Sequence, residues 1–498
     1  MPTAAVSTTA DGYLLVLAIM WPVAGILLAL VLSGRSIVRV ACLVLPIGFA
    51  IATAVVVAVA RGGQSQIYVV GNWAPPLGIA LRADGISAAM MMATAVVICA
   101  TGVFARGEFI QPVDGPEARA RYVFWILLFS IWSALNALVL GSDLFNLYVA
   151  LELLTFAAVP LVCLKGQKET IEAALRYMLF ALIGSVLYLL GAVMIYGLYG
   201  TLDIGLLSGR VRAEPATWIA AALMTVGLLA KTALFPLHLW LPPAHAGAPA
   251  PGSAILSALV VKGSFFLIVR IWFDAMPGQL SFAAAQLLAA LGSAAILVGS
   301  VLALRQQRLK LMIAYSTIAQ LGYLFFIFPL AMGLAAGVAW SGLAWTGGWT
   351  QLFSHAFAKA AMFMAAGLIA EALGHDRIAD LGGIGRKLPI TMFAFALSGL
   401  SLIGIPPSGG FVAKWLLLLA TINEGQWWWS AVIVAGGLLA GGYIFMVLGR
   451  LLADPQSPIA IRGTISRSRE LAALSLAVCA VLLGLVPLQS SDFLQVGR

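Results

Sequence analysis

The sequence predicts an all-α polytopic membrane protein with about fourteen transmembrane helices. Hydrophobic residues fill 62% of the 498 positions and charged residues only 9%, whereas soluble proteins average about 45–50% apolar and about 25% charged residues. Apolar runs of the roughly 17–25 residues that a spanning helix needs recur along the whole chain. Short polar breaks separate them, and no segment has the composition of a water-soluble domain.

The first apolar run is kept as a transmembrane helix. Asp11 precedes it and no Lys or Arg does, so it lacks the basic region of a cleavable signal. The fourteen predicted spans are 13–33, 37–60, 82–105, 121–141, 143–164, 173–199, 216–238, 250–273, 281–304, 309–329, 350–373, 388–406, 430–450 and 470–488.

Four regions follow from this division of the chain. Residues 1–120 hold helices 1–3 and an outer hairpin at 61–82, where Gly71–Asn72 separates two β-branched runs. Residues 121–273 hold helices 4–8 and residues 281–450 hold helices 9–13, which we expect to be two inverted repeats. Residues 451–498 supply a loop and helix 14.

The basic residues in the loops and near the ends of the spans predict the orientation in the membrane. Eighteen of them follow odd-numbered helices and six lie on the other side. Because cytoplasmic loops carry the excess of Lys and Arg, both termini are expected outside a bacterial or archaeal plasma membrane. The larger group is Arg35, Arg39, Arg106, Arg119, Arg121, Lys165, Lys168, Arg176, Arg305, Arg308, Lys310, Arg377, Arg386, Lys387, Arg450, Arg462, Arg467 and Arg469, and the smaller is Arg61, Arg82, Arg210, Arg212, Arg270 and Arg498.

Two spans combine a helix break with a lysine. In LLAKTALFPLHLWLPPAH, residues 228–245, Lys231 precedes Pro236, and in GIPPSGGFVAK Pro406 and Pro407 precede Lys414. The two lysines lie on helices that run in opposite directions, which is the pattern of inverted repeats. Unwound backbone is tolerated in a membrane where it lines a polar cavity, so these breaks indicate an ion path. The alternative is that the prolines only kink the helices.

Buried charge is the second sign of an ion path. A lysine at the centre of a membrane helix costs about 2.5–3.5 kcal/mol on insertion scales. Burial favours its neutral form and a carboxylate favours its charged form, so a group balanced between the two can take up and release a proton. Glu152 is the one acidic residue placed deep within a predicted span, and we pair it with Lys231. A static ion pair between two helices is the alternative.

Three further titratable residues are predicted to continue the path. Lys262 lies about a dozen residues from either end of its span, which disfavours extension of its amine to the membrane surface. His355 and Lys359 are four residues apart and share one helix face, so the imidazole can exchange a proton with the amine. A metal site there is disfavoured, because no carboxylate or cysteine is adjacent in the sequence.

The roles of His238 and His245 stay open. They flank the cytoplasmic end of the first broken helix, where they are either a gate of the path or hydrogen-bonding groups that finish a helix.

No cofactor, metal or catalytic residue is expected in this chain, and whether it belongs to an enzyme is left open. Its four cysteines lie singly in apolar runs without CxxC spacing, so a disulfide framework, a zinc site or an iron–sulfur cluster is not predicted. Nor is there a glycine fingerprint for a dinucleotide or a flavin site. The partners expected from these residues are the lipid bilayer and protons, with no nucleic acid.

These residues resemble those of a known family, the proton-conducting antiporter-like subunits of NADH:quinone oxidoreductase, membrane-bound hydrogenases and Mrp antiporters. The run FPLHLWLPPAHAGAPAPGSAIL at 235–256 is similar to its strongest signature, and the resemblance covers about residues 80–450. Members have a hydrophilic axis built from a glutamate on helix 5, lysines on helices 7 and 8, a histidine or lysine on helix 11 and a lysine or glutamate on helix 12. The matching residues are Glu152, Lys231, Lys262, His355 with Lys359, and Lys414.

Within this family, the outer segment 71–91 is similar to the D-type subunit of Mrp antiporters. The resemblance implies a proton-translocating subunit of a multisubunit Na+(K+)/H+ antiporter, with the sodium or potassium path in a partner subunit. The alternative is a proton-pumping subunit of a respiratory NADH:quinone oxidoreductase or a membrane-bound hydrogenase. A third interpretation, a structural scaffold with static charges, is disfavoured by the paired breaks and the scarcity of acids to neutralise four lysines.

Overall fold

Long apolar helices account for most of the fold. The computed structural model describes residues 7–32, 36–108, 116–333, 339–454, 461–462, 465–486 and 492–497, so Arg35 and Arg498 of the charge count lie outside the described residues. In that part of the chain, twelve helices are long and apolar enough to cross a membrane. The prediction of an all-α polytopic membrane protein is confirmed.

The helices follow one another with short connections. The first ten are α1 (Tyr13–Val31), α2 (Ile37–Gly62), α3 (Gly85–Glu108), α4 (Pro116–Leu140), α5 (Leu144–Val162), α6 (Lys168–Tyr199), α7 (Ile204–Ser208), α8 (Pro215–Thr232), α9 (Leu241–Gly247) and α10 (Ala250–Ile255). The others are α11 (Val261–Val269), α12 (Phe282–Leu304), α13 (Leu309–Gly322), α14 (Ile327–Leu330), α15 (Ala339–Leu373), α16 (Ile384–Lys387), α17 (Pro389–Ile403), α18 (Gly409–Asn423), α19 (Trp427–Leu452) and α20 (Arg467–Leu482).

Both predicted helix breaks are present. The first separates α8 from α9, with Ala233 in the left-handed region at φ 58° and a cis peptide bond before Pro236. The second separates α17 from α18, with Gly404 at φ 94° and a cis bond between Pro406 and Pro407. Helices α17 and α18 have 15 residues each, so neither alone reaches across a bilayer core of about 30 Å.

A continuous central helix runs from Ala250 to Ala275, and every residue in its most apolar stretch is buried. It comprises α10, a π-helical turn at Leu256–Val260, α11 and a second π-helical turn at Arg270–Ala275. Helix α15 packs against it and is longer than the predicted span 350–373.

The added residues of α15 include Gly347 and Gly348, which weaken a sequence-based helix prediction. Here they provide close packing, because a Cβ on Gly348 would lie 2.0 Å from the Ile327 side chain. Tertiary packing thus compensates for their low helix propensity.

One end of the molecule carries a short β-hairpin. Strand β1 (Gln66–Val69) pairs with strand β2 (Ala80–Ala83) in antiparallel register. The Thr9 amide donates to the Ile67 carbonyl at 2.9 Å, and the Gly85 amide donates to the Val496 carbonyl at 3.1 Å. Residues near both ends of the chain therefore meet at the same end of the helix bundle, as an even number of crossings requires.

Candidate functional site

The deep carboxylate and the first lysine form an ion pair. Asp143 caps the N-terminus of α5 by accepting hydrogen bonds from the Phe145 and Asn146 amides, and Glu152 follows two and a half turns later. The Lys231 amine, in the last turn of α8, lies 2.7 Å from Oε1 of Glu152. It also donates to the Thr155 hydroxyl at 3.0 Å.

Glycine packing sets the position of this pair. Helices α6 and α8 touch at Gly184 and Gly227, where a Cβ on Gly184 would lie 2.5 Å from the Gly227 carbonyl oxygen and 3.2 Å from Cγ of Lys231. The stem of Lys231 therefore passes over Gly184. From the same helix, Ser185 donates a hydrogen bond to the Glu152 carboxylate.

Lys262 lies in the central helix, immediately after the first π-helical turn. Its side chain is completely buried, and its amine donates to the Ser257 carbonyl at 2.6 Å. The amine is enclosed among packed helices. Single π-helical turns occur frequently at functional sites, and this one contains the carbonyl that binds the lysine.

Ser257, Thr317 and Ile313 lie between Lys262 and Lys359, although Lys262 binds the Ser257 carbonyl and not its hydroxyl. The Ser257 and Thr317 hydroxyls are 2.9 Å apart, and Thr317 donates to the Ile313 carbonyl at 3.0 Å. The Lys359 amine donates to the same carbonyl, also at 3.0 Å. Lys359 makes a further bond to the Ser316 hydroxyl. Residues of α13 thus connect the central helix to α15.

Lys414 is held by the second helix break. Its amine donates to the Leu402 carbonyl at 2.5 Å and to the Ile403 carbonyl at 2.9 Å. These are the terminal carbonyls of α17, which carry the negative end of the helix dipole. The Gln320 amide also donates to the Leu402 carbonyl, at 3.1 Å, and accepts from Gln351 at 2.9 Å.

His355 lies between the lysines of α11, α15 and α18. It is buried, and neither ring nitrogen has a hydrogen-bond partner among the described protein atoms. Lys262, Lys359 and Lys414 all interact with it electrostatically. A buried imidazole whose ring nitrogens have no hydrogen-bond partner among the described atoms is a group that can take up and release a proton.

The two histidines at the first break differ in position. His245, in α9, is buried and stacks on Phe363 with ring centroids 4.6 Å apart. Lys359, Lys310 and Lys262 lie within electrostatic range of it. His238 lies in the turn before α9 and stacks on Phe235, with ring centroids 5.5 Å apart.

A polar pocket of about 520 Å³ lies beside α9, at the end of the bundle that carries the basic loops. Ala246, Ala248 and Lys310 line it, and the Lys310 amine donates to the Ala248 carbonyl at 2.8 Å. His245 is therefore adjacent to this pocket on one side and to the interior lysines on the other.

The polar residues of α13 next to the lysines were not predicted from the sequence. Ser316, Thr317 and Gln320 lie within an otherwise apolar helix, which is the signal that could have indicated them. Such residues are common in membrane helices as packing and hydrogen-bonding groups. Their inward orientation becomes known only from the packing.

Arg270 corrects one prediction. It was counted with the outer loop residues, but it is buried in the second π-helical turn. Its guanidinium binds the Asp84 carboxylate at 2.5 and 2.8 Å and the Asp274 carboxylate at 2.6 Å. Burial favours a raised pKa for Asp84, but the ion pair and hydrogen bonds with Arg270 outweigh burial and lower the pKa below its usual range.

Metal binding has little support in the described ranges, which contain no group of three or more His, Cys, Asp or Glu side chains placed to hold an ion. The assembled site consists of amines, one imidazole and one carboxylate joined by hydroxyls, amides and carbonyls. Such groups can bind, hold and transfer protons in a water-poor interior.

Comparison with known proteins gives matches over most of the chain. A model of the transmembrane family described as NADH:quinone oxidoreductase/Mrp antiporter matches residues 141–440. The N-type subunit of NADH-quinone oxidoreductase from Desulforudis audaxviator is 35% identical over 391 residues, covering 78% of this chain and 75% of that protein. The D-type subunit of the Na(+)/H(+) antiporter from Alkalihalophilus pseudofirmus is 30% identical over 361 residues, covering 71% and 69%.

A chain in the structure of the Mrp complex from Dietzia sp. DQ12-45-1b has the same fold. It superposes with a TM-score of 0.87 and 25% sequence identity, and the match covers 98% of this chain and 97% of that one.

Proposed function

Because the chain belongs to the transmembrane family of NADH:quinone oxidoreductase and Mrp antiporter subunits, we propose that it conducts protons within a multisubunit membrane complex. One observation carries the proposal. The four buried lysines, Lys231, Lys262, Lys359 and Lys414, lie with Glu152 and His355 among packed helices. Ser257, Thr317 and Ile313 bridge Lys262 and Lys359 through hydrogen bonds that are interrupted at the Ser257 backbone.

Protons would enter at the pocket beside α9, with His245 as its gate and His238 at the outer part of the break. A proton taken up there reaches Lys262 or Lys359, which both lie within electrostatic range of His245. His355 then relays between Lys359 and Lys414. Because like charges in a low-dielectric interior repel strongly, a proton on one amine favours release from its neighbour.

The ion pair of Glu152 and Lys231 provides the drive. Its 2.7 Å contact stabilises the charged amine. Separating the two groups removes that stabilisation, so Lys231 releases its proton toward Lys262. Sodium or potassium moves elsewhere in the complex, since one carboxylate already bound to an amine is a poor site for an ion that prefers several oxygen ligands.

We propose that these groups lie in two inverted repeats with the orientation that the sequence predicts. Residues 121–273 and 281–450 would form two inverted repeats, each with one break at Pro236 or at Pro406 and Pro407, and both termini would lie outside the plasma membrane. The uneven distribution of basic residues supports the orientation.

Two kinds of complex, the NADH-quinone oxidoreductase and the Na(+)/H(+) antiporter, contain relatives of this chain. The D-type subunit of an Mrp antiporter was the specific expectation, and the comparisons do not favour it, because identity to the N-type oxidoreductase subunit is 35% against 30% to the D-type antiporter subunit. Purifying the chain with its partners and recording flavin and iron–sulfur absorbance would decide. Absorbance from either group supports a redox-driven complex, and a colourless complex with sodium-dependent proton movement supports the antiporter.

The proton path is tested by neutralising the ion pair. In the complex reconstituted into vesicles with an internal pH dye, we expect Glu152→Gln and Lys231→Met each to reduce proton movement at least tenfold. Glu172→Gln and Lys168→Met, at exposed positions of α6, are matched controls and should retain full movement.

A single neutralisation leaves one buried charge unpaired, which can destabilise a protein by about 3–5 kcal/mol. The double variant Glu152→Gln/Lys231→Met removes both charges and so separates loss of conduction from loss of folding. Full proton movement in an assembled double variant would refute the proposal.

A further inference from the structure

A second cavity lies away from the buried lysines, on the flank of the bundle. It is a groove with a volume of about 690 Å³. Sites that bind small molecules have volumes of about 300–1,000 Å³, so the groove has a suitable size. Residues 38–49 of α2 and 99–107 of α3 form most of it, with Trp125 and Ser468 at its sides. Its lining is largely apolar, and Phe49 and Val103 are exposed at its edge. We call this cavity the flank groove.

The flank groove has the length of one membrane leaflet. Residues 38 and 49 are eleven positions apart on a helix, which corresponds to about 16 Å. The hydrocarbon core of a bilayer is about 30 Å thick, so the groove extends from the surface to about the midplane. Gly102 lies at its floor, where a Cβ would stand 2.4 Å from the Leu45 side chain. Helices α2 and α3 therefore touch along the floor, and the cleft above them suits a thin flexible chain.

One end of the flank groove is basic. Arg106 lines it, Arg39 lies next to Val38 in the first turn of α2, and Arg467 adjoins Ser468 at the start of α20. All three arginines are exposed. In the described ranges, none of the three forms an ion pair with a carboxylate, whereas Arg469 beside them binds Glu371 at 2.7 Å. Among the described side chains, this end therefore presents positive charge without a paired carboxylate.

We propose that the flank groove binds an anionic phospholipid of the leaflet that faces the basic loops. One acyl chain fills the apolar cleft and the phosphate lies against Arg106, with Arg39 and Arg467 nearby. Basic pockets between membrane helices bind anionic headgroups, and each arginine near such a surface contributes about 1 kcal/mol. The complementarity is thus both apolar and ionic, and both parts have the dimensions of a lipid. This site is independent of the proton path.

Photoreactive lipids test the proposal. The intact complex is placed in nanodiscs with phosphatidylglycerol or phosphatidylcholine that carries a diazirine on one acyl chain, and crosslinked peptides are mapped by mass spectrometry. We expect phosphatidylglycerol to label residues 38–49 and 99–107 at least fivefold more than phosphatidylcholine. Replacing Arg106 by glutamine, as Arg106→Gln, should reduce that preference about fivefold.

Arg61→Gln is the matched control, since Arg61 is an exposed arginine at the other end of α2, and the preference should not change. A second variant, Ala41→Phe, narrows the flank groove and should lower labelling by both lipids. Equal labelling by the two lipids, or an undiminished preference in Arg106→Gln, would show a surface covered by ordinary bilayer lipid and overturn the proposal. Crosslinking of the groove to a partner polypeptide in place of lipid would overturn it as well.

Discussion

The four buried lysines differ in what holds their amines. Lys231 alone binds a carboxylate among the described residues, whereas Lys262 and Lys414 donate to backbone carbonyls, and Lys359 to a carbonyl and a hydroxyl. A carbonyl dipole supports an ammonium group but does not titrate and carries no net charge. Lys231 therefore has a carboxylate as countercharge, and the other three amines are held by neutral dipoles.

The charged members of the site could be located from the sequence because such residues are rare and costly in an apolar span. Hydroxyls and amides such as Ser316 and Gln320 carry no comparable signal, since they cost little in a membrane helix and their direction depends on packing. Arg270 was misplaced for a related reason. Its position near the end of a span is compatible with a loop, and only the contact with Asp84, 186 positions away, shows that it is buried.

Arg270 and the two carboxylates that it binds, Asp84 and Asp274, form the Arg270 cluster. This cluster leads to a prediction about how stability depends on pH. Asp84 precedes the span Gly85–Gly107, and its pKa is lowered because the ion pair with Arg270 outweighs burial. Its contribution to stability is therefore present above a pH of about 4, the unfolded value, and is lost as the pH falls toward the folded pKa.

In Arg270→Gln burial dominates, and we expect the pKa of Asp84 to lie above the unfolded value. The variant should then lose stability as the pH rises from about 4 to 7, opposite to the native dependence. Thermal unfolding of the purified complex at several pH values measures this. The double variant Arg270→Gln/Asp84→Asn should abolish the reversed slope, and a variant that keeps the native slope would contradict the assignment.

Individual elements were predictable where backbone chemistry imposes them. Both breaks were located from proline, which removes a backbone donor and interrupts a helix, and α8 and α17 end within four residues of Pro236 and Pro407. The π-helical turn at Leu256–Val260 has no comparable residue signal. Its composition suits an ordinary α-helix, so it arises from packing in the centre of the bundle.

The close contact between α6 and α8 at Gly184 leads to a prediction about stability and proton movement. An alanine at Gly184 would put Cβ 2.5 Å from a backbone carbonyl of α8, and backbone cannot move aside cheaply. We expect Gly184→Ala to destabilise the protein by about 1–3 kcal/mol and to slow proton movement, because it displaces Lys231 from Glu152.

The matched control is Gly197→Ala on the same helix, where nothing lies within 4 Å of the added Cβ. Helix propensity alone then applies, and it favours alanine by up to about 1 kcal/mol. Thermal stability should therefore fall in Gly184→Ala and rise in Gly197→Ala, and only Gly184→Ala should slow proton movement. Equal stability of the two variants would show that the close approach of α6 and α8 does not limit the fold.

The whole molecule has two different ends. The hairpin, residues near both ends of the chain and the Arg270 cluster occupy one. The other carries the polar pocket beside α9 and the basic end of the flank groove. Hydropathy and charge distribution predicted a difference between the two ends, because these sequence features depend on the bilayer and not on details of packing. The identity of the complex was not predictable in the same way, since one family includes subunits of both the NADH:quinone oxidoreductase and the Mrp antiporter.

The orientation can be measured with cysteines placed at the two ends. In a variant with Cys42, Cys99, Cys163 and Cys479 replaced by alanine, Gln167→Cys and Ser208→Cys each provide one exposed thiol. A membrane-impermeant maleimide should label Ser208→Cys in intact cells, and Gln167→Cys only after permeabilisation. The opposite pattern would invert the predicted topology and place the pocket beside α9 on the outside.

The hydrogen bond between the amides of Gln351 and Gln320 affects where protons can move inside the protein. A carboxamide donates and accepts hydrogen bonds, but unlike imidazole or water it does not readily release one proton while accepting another. The bonded sequence from Gln351 through Gln320 to the Leu402 carbonyl is therefore an insulator beside Lys414, although it looks continuous. In the proton path that we propose, it blocks direct transfer from α13 to the second break, so that transfer between Lys359 and Lys414 depends on His355.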